Sequence, residues 1–491
     1  MEITYYDSFD WRLYAAGKRL ECVRRSDHAE LRLVRIADQA VEAMLPDIGG
    51  EVRFPSELPD GELGQRLQDL LEMRAYLPFA TLKVARYSLC QLDSEGKTRA
   101  RLHLESCSLL TADGKRHLLQ KRLRLQSLRG YAKAARSLGR ALEERFGLHP
   151  VEDGLFMQTL AAAGKHPGDY SSKLDITLQP DMRADAAVRQ VLLKLFDTMQ
   201  ANEAGTIANL DSEFLHDFRV AVRRTRSALG ELKKLFPPAT LQRFRSEFAW
   251  LGSLTSSVRD LDVYLLKFDG YKAAIPAELR SDLEPLRGFL KYKQHVEQSQ
   301  QLAVQLQGKR YRKLKKQWEG YLRSPLARQP VARDAAKTIG EVARHRTWRM
   351  YRRVLKEGKA ITSESPAPQL HELRKSCKKL RYLMEFFQSL YAPEAIRTSI
   401  RELKQLQDNL GDFQDLDVQI DALKRFALEM RQRGEYNAAT GKAMDALLEA
   451  LGARMQAVRA EFEARFEEFS CEDNQARFAE LFHSDEAAGA A

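Results

Sequence analysis

Cysteine is scarce in this chain: five residues in 491, odd in number and scattered at Cys22, Cys90, Cys107, Cys377 and Cys471. That excludes a disulfide framework and points to reduced thiols in a cytosolic protein. Long apolar runs are missing too. No stretch reaches the roughly 18 residues that a membrane-spanning helix requires, and no charged-then-apolar leader opens the sequence. The expectation is a cytoplasmic protein, neither secreted nor membrane-spanning. From about 182 to 470 proline and glycine are also sparse, and they gather at joints such as Pro237-Pro238, Ser324-Pro325 and Pro366 to Pro368. Little interrupts a helical pattern there, so long amphipathic helices with short connectors are expected.

What the chain does have is a duplication. Residues 215–236 read LHDFRVAVRRTRSALGELKKLF and residues 370–391 read LHELRKSCKKLRYLMEFFQSLY, an offset of 155. The same offset relates RDLDV at 259–263 to QDLDV at 414–418, so each histidine stands 44 residues before the first aspartate of its copy. A period this long means two copies of a domain-sized unit rather than a solenoid. Two antiparallel helical bundles related by a pseudo-two-fold follow.

At about 100° per residue, His216, Arg219, Arg223 and Arg226 fall within about 80° of arc. Leu215, Phe218, Val222, Leu229, Leu232 and Phe236 form a neighbouring stripe. The second copy repeats the arrangement with His371, Arg374, Lys378 and Arg381. A helix of this kind buries its apolar stripe and holds a row of cations at the rim, which is costly without an anion. Solvated surface charge is the ordinary fate of such residues, but recurrence of the row in both copies argues for a site. No second His or Cys stands at metal-ligand spacing in either helix, so the histidines read as anion contacts rather than metal ligands. A His among several cations should have a depressed pKa, so each imidazole reads as a neutral donor or as a cation induced by bound anion. The paired aspartates 260/262 and 415/417 are i,i+2 and face opposite ways on a helix. They read as structural partners for the arginine rows.

Lys and Arg number 79 against 68 acids, giving a formal charge of +11 and a pI near 9.3. The balance points toward polyanions. Residues 309–323 carry seven basic groups against Glu319, and residues 344–359 another seven against Glu357, which adds Lys309, Arg312, Lys316, Arg349 and Arg353 to the candidate anion contacts. The last 30 residues are acidic. Residues 1–150 differ in kind: short alternating segments such as ELRLVRI and TRARLHLES, with Asp93-Ser94-Glu95-Gly96 as a hairpin connection, predict a small antiparallel β domain. A helix is expected near 131–146, a linker at 151–181, helical repeats around 205–325 and 335–470 within a domain at 182–470, and an acidic flexible tail at 471–491.

The phrases LHDFRVAVRRTRSAL and LHELRKSCKKLRY, with WLGSLTSSVRDLDVYLL and LQDNLGDFQDLDV, strongly resemble the CHAD domain, the conserved-histidine α-helical domain. The resemblance covers about 182–470. It implies two four-helix bundles with pseudo-two-fold symmetry, binding of inorganic polyphosphate and association with polyphosphate granules. The family's histidine is matched by His216 and His371. Its basic motif positions match Arg219, Arg223, Arg224 and Arg226 in the first copy and Arg374, Lys378, Lys379 and Arg381 in the second, where Lys375 replaces Val220 and broadens the stripe.

YYDSFDWRLYAAGKRLE at 5–21 is similar to a strand-loop segment of the CYTH domain, a β tunnel whose active members hydrolyse triphosphates with a divalent metal. Those members open with an ExExK strand, for which Met1-Glu2-Ile3-Thr4 leaves no room, and Glu21 and Val23 replace the basic residues of the next strand. Without paired carboxylates, metal-assisted phosphoryl chemistry loses its electrophile. The expected fold class is therefore α+β multidomain: a degenerate CYTH-like β domain followed by an all-α CHAD domain. No catalytic residue, metal or cofactor is expected.

Polyphosphate offers only charge and acceptor oxygens, so a receptor for it needs rows of Arg and Lys. Single-stranded nucleic acid adds stacking on aromatic platforms. Tyr311, Leu314 and Trp318, like Trp348, Tyr351 and Leu355, fall at i, i+3, i+7 and read as core stripes instead. The alternatives are a CYTH-type triphosphatase and a nucleic-acid-binding protein. A protein partner recruited through the β domain is a further partner class.

Overall fold

The computed structural model describes residues 1–483 apart from 49, 51, 112, 113, 152 and 153. They form two compact units, Met1–Ser171 and Ser172–Ala491.

The first unit is an antiparallel sheet of β1 (Glu2–Asp7), β2 (Lys18–Arg24), β3 (Ala29–Arg35), β4 (Val41–Pro46), β5 (Leu77–Leu92), β6 (Thr98–Leu110), β7 (Arg116–Leu118) and β8 (Arg122–Ser127). Its strand order is β4-β3-β2-β1-β5-β6, with β7 and β8 both pairing β6. β1 corrects one expectation. The chain does have room for a first strand: β1 pairs with both β2 and β5, and its alternation turns Ile3 and Tyr5 into the core. Those inward positions are apolar or aromatic, which is why the strand did not look like one built for carboxylates. Asp7 ends it by accepting hydrogen bonds from the backbone N–H groups of Ser8, Leu13 and Tyr14. The hairpin at 93–96 forms as expected, with Asp93 accepting from Glu95 and Lys97 and Gly96 in the left-handed region at φ +76°. Its helices include α1 (Glu62–Leu71) and α2 (Ala132–Phe146).

The boundary between the two units, at 171/172, falls within the linker expected at 151–181, but much of that segment is packed. α3 (Leu155–Ala162) buries Phe156 and Leu160 in the β unit, with Phe156 edge-on to Tyr5 at 5.0 Å. Farther along, Leu174 and Leu178 are buried in the helical core. Both ends of the segment are thus held by apolar packing, which outweighs its loop-like composition.

The second unit repeats one helical plan. The first copy has α4 (Ala184–Ala208), α5 (Ser212–Glu231), α6 (Pro238–Leu254), α7 (Ser256–Leu266), α8 (Glu284–Val296) and α9 (Lys309–Arg323). In the second copy α10 (Ile339–Lys359), α11 (Ala367–Phe387), α12 (Pro393–Gln432) and α13 (Ala438–Ala460) follow, then α14 (Phe462–Phe469) and α15 (Glu472–Phe482). The repeats therefore start at 184 and 339, and the first begins well before the expected 205. Their starts touch. Arg183 bridges Thr338, Ala184 N–H donates to Lys337 at 2.8 Å, and Ile339 N–H donates to Met182 at 2.8 Å. Arg183 and Thr338 are equivalent under the 155 offset, and the two hydrogen bonds are each other's equivalents, which places the bridge on the pseudo-two-fold.

One long helix in the second copy corresponds to two in the first, and a single substitution accounts for the break. Thr255 turns its hydroxyl back to the Leu251 carbonyl at 3.0 Å between α6 and α7, a bond that bends helices, whereas the equivalent Leu410 is buried inside the unbroken α12. The acidic tail expected from 471 is also corrected. α15 buries Phe478 and Phe482, and Phe478 stacks on Tyr351 at 4.0 Å. Residues 484–491 lie outside the described residues.

The turn between α4 and α5 shows how tightly the bundle is drawn. Asn209 takes the left-handed conformation at φ 49°, and the Asp211 carboxylate caps α5 by accepting from Glu213 and Phe214 at 2.9 and 3.1 Å. A Cβ on Gly205 would lie 2.3 Å from the Phe214 ring. Gly205→Ala is therefore expected to destabilise the helical unit by about 1–3 kcal/mol despite the better helix propensity of alanine. Urea unfolding followed by far-UV circular dichroism measures it.

Candidate functional site

α5 and α11 carry the duplicated sequence, and they pack against each other across the pseudo-two-fold. Their apolar stripes are where the periodicity puts them: Leu215, Phe218, Val222, Leu229, Leu232 and Phe236 are all buried, as are Leu370, Leu373 and Leu380. The basic rows therefore meet at the junction. Arg223 Nε donates to Tyr382 Oη at 2.6 Å from one repeat to the other. Arg224 pairs with Glu385 at 2.7 Å, and Lys379 with Glu231 at 3.1 Å. These two ion pairs are near-symmetric, since Arg224 and Lys379 are equivalent residues. They fasten the helices together, so Arg224 and Lys379 are already engaged by carboxylates of the other repeat. Arg381 leans on the same Glu385 at 3.5 Å.

Six cations surround the junction: Arg219, Arg223 and Arg226 from α5, and Arg374, Lys378 and Arg381 from α11. Besides Glu385, two exposed carboxylates face them, Asp260 and Asp415. Arg374 donates to Gln414 at 2.9 Å and to Asp415 at 3.3 Å. Arg219 donates to Thr255 and Ser256 at 3.3 and 3.0 Å and also interacts with Asp260. The first aspartate of each DLD run thus turns toward the basic row. The second turns elsewhere, Asp262 to Gln294 at 3.0 Å and Asp417 to His371 at 3.4 Å.

Charge crowding shows in the protonation of the cluster. Burial, together with Arg223, Arg259 and Arg226, pushes the Arg219 guanidinium down to about 10 against the pull of Asp260. Burial first, then Arg374 and Arg223, brings the Lys378 ammonium down to about 7, again with Asp415 opposing. Arg374 is lowered for the same leading reason. The site holds more positive charge than its own carboxylates compensate, which is the electrostatic condition for capturing an anion.

The histidines stand at the outer ends of the rows. Arg259 Nη2 donates to His216 Nδ1 at 3.0 Å, so that nitrogen carries no proton. Arg259 is itself fixed by the Ser212 carbonyl at 3.0 Å and by Glu213 at 3.6 Å. Sequence reading passed over Arg259 because the second copy has Gln414 in its place, and Gln414 instead accepts from Arg374. It also passed over Tyr382, whose only sequence signal is its position one residue after Arg381.

The remaining candidates lie elsewhere. Lys375 is exposed and pairs with Glu372 at 2.7 Å. Arg349 and Arg353 are exposed on α10, where Arg353 pairs with Glu357 at 2.6 Å. Lys309, Arg312 and Lys316 project from the exposed face of α9, whose other face buries Tyr311, Leu314 and Trp318. α9 packs on α4, where Lys315 meets Glu203 at 2.6 Å, and is not one of the two helices that build the cluster. Tyr311, Trp318 and Tyr351 are core residues, as their spacing predicts, and Trp348 packs partly buried beside them.

Residues 190–424 match the model of the CHAD domain family. The chain thus carries a CHAD domain, placed in the helical unit and containing both α5 and α11. Among solved structures the chain is similar to the CHAD domain from the plant Ricinus communis, at 27% identity over 59% of this chain and 94% of that one, with a TM-score of 0.48. It is also similar to PptA from Streptomyces chartreusis, at 16% identity over 58% of this chain and 100% of that one, with a TM-score of 0.46. No curated protein matches the chain. Among the described residues, no helix is long and apolar enough to cross a membrane.

Proposed function

We propose that the protein binds inorganic polyphosphate at the α5–α11 junction and is carried by it to polyphosphate granules. The observation that carries this reading is the meeting of six cations from two equivalent helices around three carboxylates, Asp260, Asp415 and Glu385. CHAD is a family linked to polyphosphate binding, which supports the same conclusion. Within the site, Arg223, Arg226, Lys378 and Arg381 are the central contacts, Arg219 and Arg374 are oriented by Asp260 and Asp415, and His216 and His371 close the two ends. The exposed cations of α9 and α10 add long-range attraction for a polymer longer than the junction.

We read the β unit as a CYTH-like domain without the machinery for triphosphate hydrolysis. The inward positions of β1 carry Ile3 and Tyr5, where a metal-holding strand would need carboxylates.

Competition between long-chain polyphosphate and single-stranded DNA at about 0.15 M salt, where exposed charges are already screened, tests the assignment. Polyphosphate is expected to win by orders of magnitude. Equal affinities would reduce the rows to generic positive charge, and orthophosphate released from tripolyphosphate on adding Mg²⁺ would revive the enzyme reading.

Lys378 supplies a second test. Its pKa near 7 in the free protein must rise when an anion is bound beside it, so binding takes up a proton. The sign is fixed by the depressed value: affinity is greatest below pH 7 and falls as pH rises toward the ordinary lysine range. Calorimetry in two buffers of different ionisation enthalpy should show uptake of about half a proton at pH 7, increasing at pH 8. Lys378→Arg should abolish the linkage while retaining binding.

A further inference from the structure

The β unit contains a cavity of about 650 Å³, lined in part by Ile3 and Tyr5 of β1, to which the reading above gives no ligand. The sheet curls around it: Arg122 of β8 acts electrostatically on Tyr5 of β1, and Arg124 of β8 on Glu21 of β2, although neither pair of strands is adjacent. Its lining has two characters. Glu105 is almost fully buried, and three guanidiniums converge on that one carboxylate. Arg86 pairs with it at 2.8 Å, Arg124 at 3.6 Å and Arg122 at 4.0 Å. On the other wall Arg19 pairs with Glu21 at 3.0 Å, while Arg25 and Arg32 both bind Glu30. Six arginines thus stand against three glutamates. Arg122 is the least satisfied, since its Nε and Nη1 are buried with no hydrogen-bond partner among the described residues. Between the charged walls the surface is apolar, formed by Ile3, Val23, Val34, Phe156 and Met157.

Buried guanidinium donors without partners cost free energy that an anion would recover. A bare inorganic polyanion would recover it but would leave the apolar floor against charge. The geometry points to a receptor for a small amphiphilic anion: a carboxylate or phosphate monoester held by Arg86, Arg122 and Arg124, with an aliphatic or aromatic body lying on Ile3, Val23 and Phe156. The cavity volume falls within the range of small-molecule sites, and the combination of apolar lining with a few convergent polar groups is their usual composition.

The test is calorimetric titration of the full chain with octyl phosphate and with octanoate, which separate the two headgroups, and with inorganic tripolyphosphate, which lacks the body. One saturable site is expected for octyl phosphate or octanoate, bound more tightly than tripolyphosphate in that cavity. Arg122→Met should weaken it about tenfold to a hundredfold, the loss of a charge-assisted hydrogen bond, and leave long-chain polyphosphate binding unchanged. Should Arg122→Met fail to fold, Arg124→Met decides, because that side chain is half exposed and its removal leaves Glu105 paired with Arg86. Absence of a saturable site, equal or tighter binding of tripolyphosphate in the cavity, or amphiphile affinity unchanged in the folded variant would overturn the proposal.

Discussion

Replacing Arg223 and Lys378 together by glutamate is expected to weaken polyphosphate binding on the order of 10²–10⁴-fold with the fold intact. The estimate follows from losing two charge-assisted contacts of about 1.5–3 kcal/mol each, before counting the repulsion from the new carboxylates. The two residues come from different repeats and face one junction, so the double change turns a cluster of six cations into four cations and two additional anions. Stability should scarcely suffer. Lys378 is crowded by Arg374, Arg223 and Arg381, and a carboxylate in its place relieves that crowding. The cost at Arg223 is one hydrogen bond to Tyr382. Binding measured across a salt series gives an independent readout, because two fewer neutralised phosphates should flatten the logarithmic salt dependence by roughly two units. A variant that unfolds would mean that the rows are structural, and one that binds unchanged would move the site away from the junction.

The opposite result is expected five residues away. Phe218→Asp, or Leu373→Asp in the second copy, should unfold the helical unit rather than tune its affinity. Both side chains are fully buried. Loss of Phe218 removes apolar packing worth about 3–5 kcal/mol, and the new carboxylate lies in the core without a partner, a further penalty of several kcal/mol. Against a typical stability of about 5–15 kcal/mol for a domain, little remains. Far-UV circular dichroism at 25 °C and sensitivity to protease would register the collapse. Phe218 and Arg223 lie on one helix, so different fates for their substitutions test the helical phase directly. A folded, binding-competent Phe218→Asp protein would contradict it.

Much of the helical unit was legible because two copies of one pattern reinforce each other. The phase of α5 placed Phe218 and Val222 inside and Arg219 and Arg223 at the rim, and the same phase in α11 required the rows to be equivalent. What was not legible depends on residues far apart in the chain. Arg224 and Lys379 look like their neighbours in the motif, and nothing local reveals that Glu385 and Glu231 reach them across the junction. The α3 segment, between Gly154 and the Lys165-His166-Pro167-Gly168 stretch, reads as a linker until Tyr5 supplies a surface for Phe156. The tail failed in the same way, since Phe478 and Phe482 acquire their role only against Tyr351 and Tyr391. In β1 the pattern was present, but its inward residues are Ile3 and Tyr5, so attention to charge concealed an ordinary strand.

The bridge between Arg183 and Thr338 joins two equivalent residues, and the contacts of Arg223 with Tyr382 and of Glu231 with Lys379 set the two basic rows antiparallel. A cluster with that symmetry looks nearly the same from either end. A linear polyphosphate also has no direction, because its repeating unit reads identically forwards and backwards. On the reading proposed above, such a chain meets equivalent basic rows whichever end leads, doubling the productive ways of docking. A nucleic acid strand, which has distinct 5′ and 3′ senses, would satisfy one of the two rows and misalign with the other.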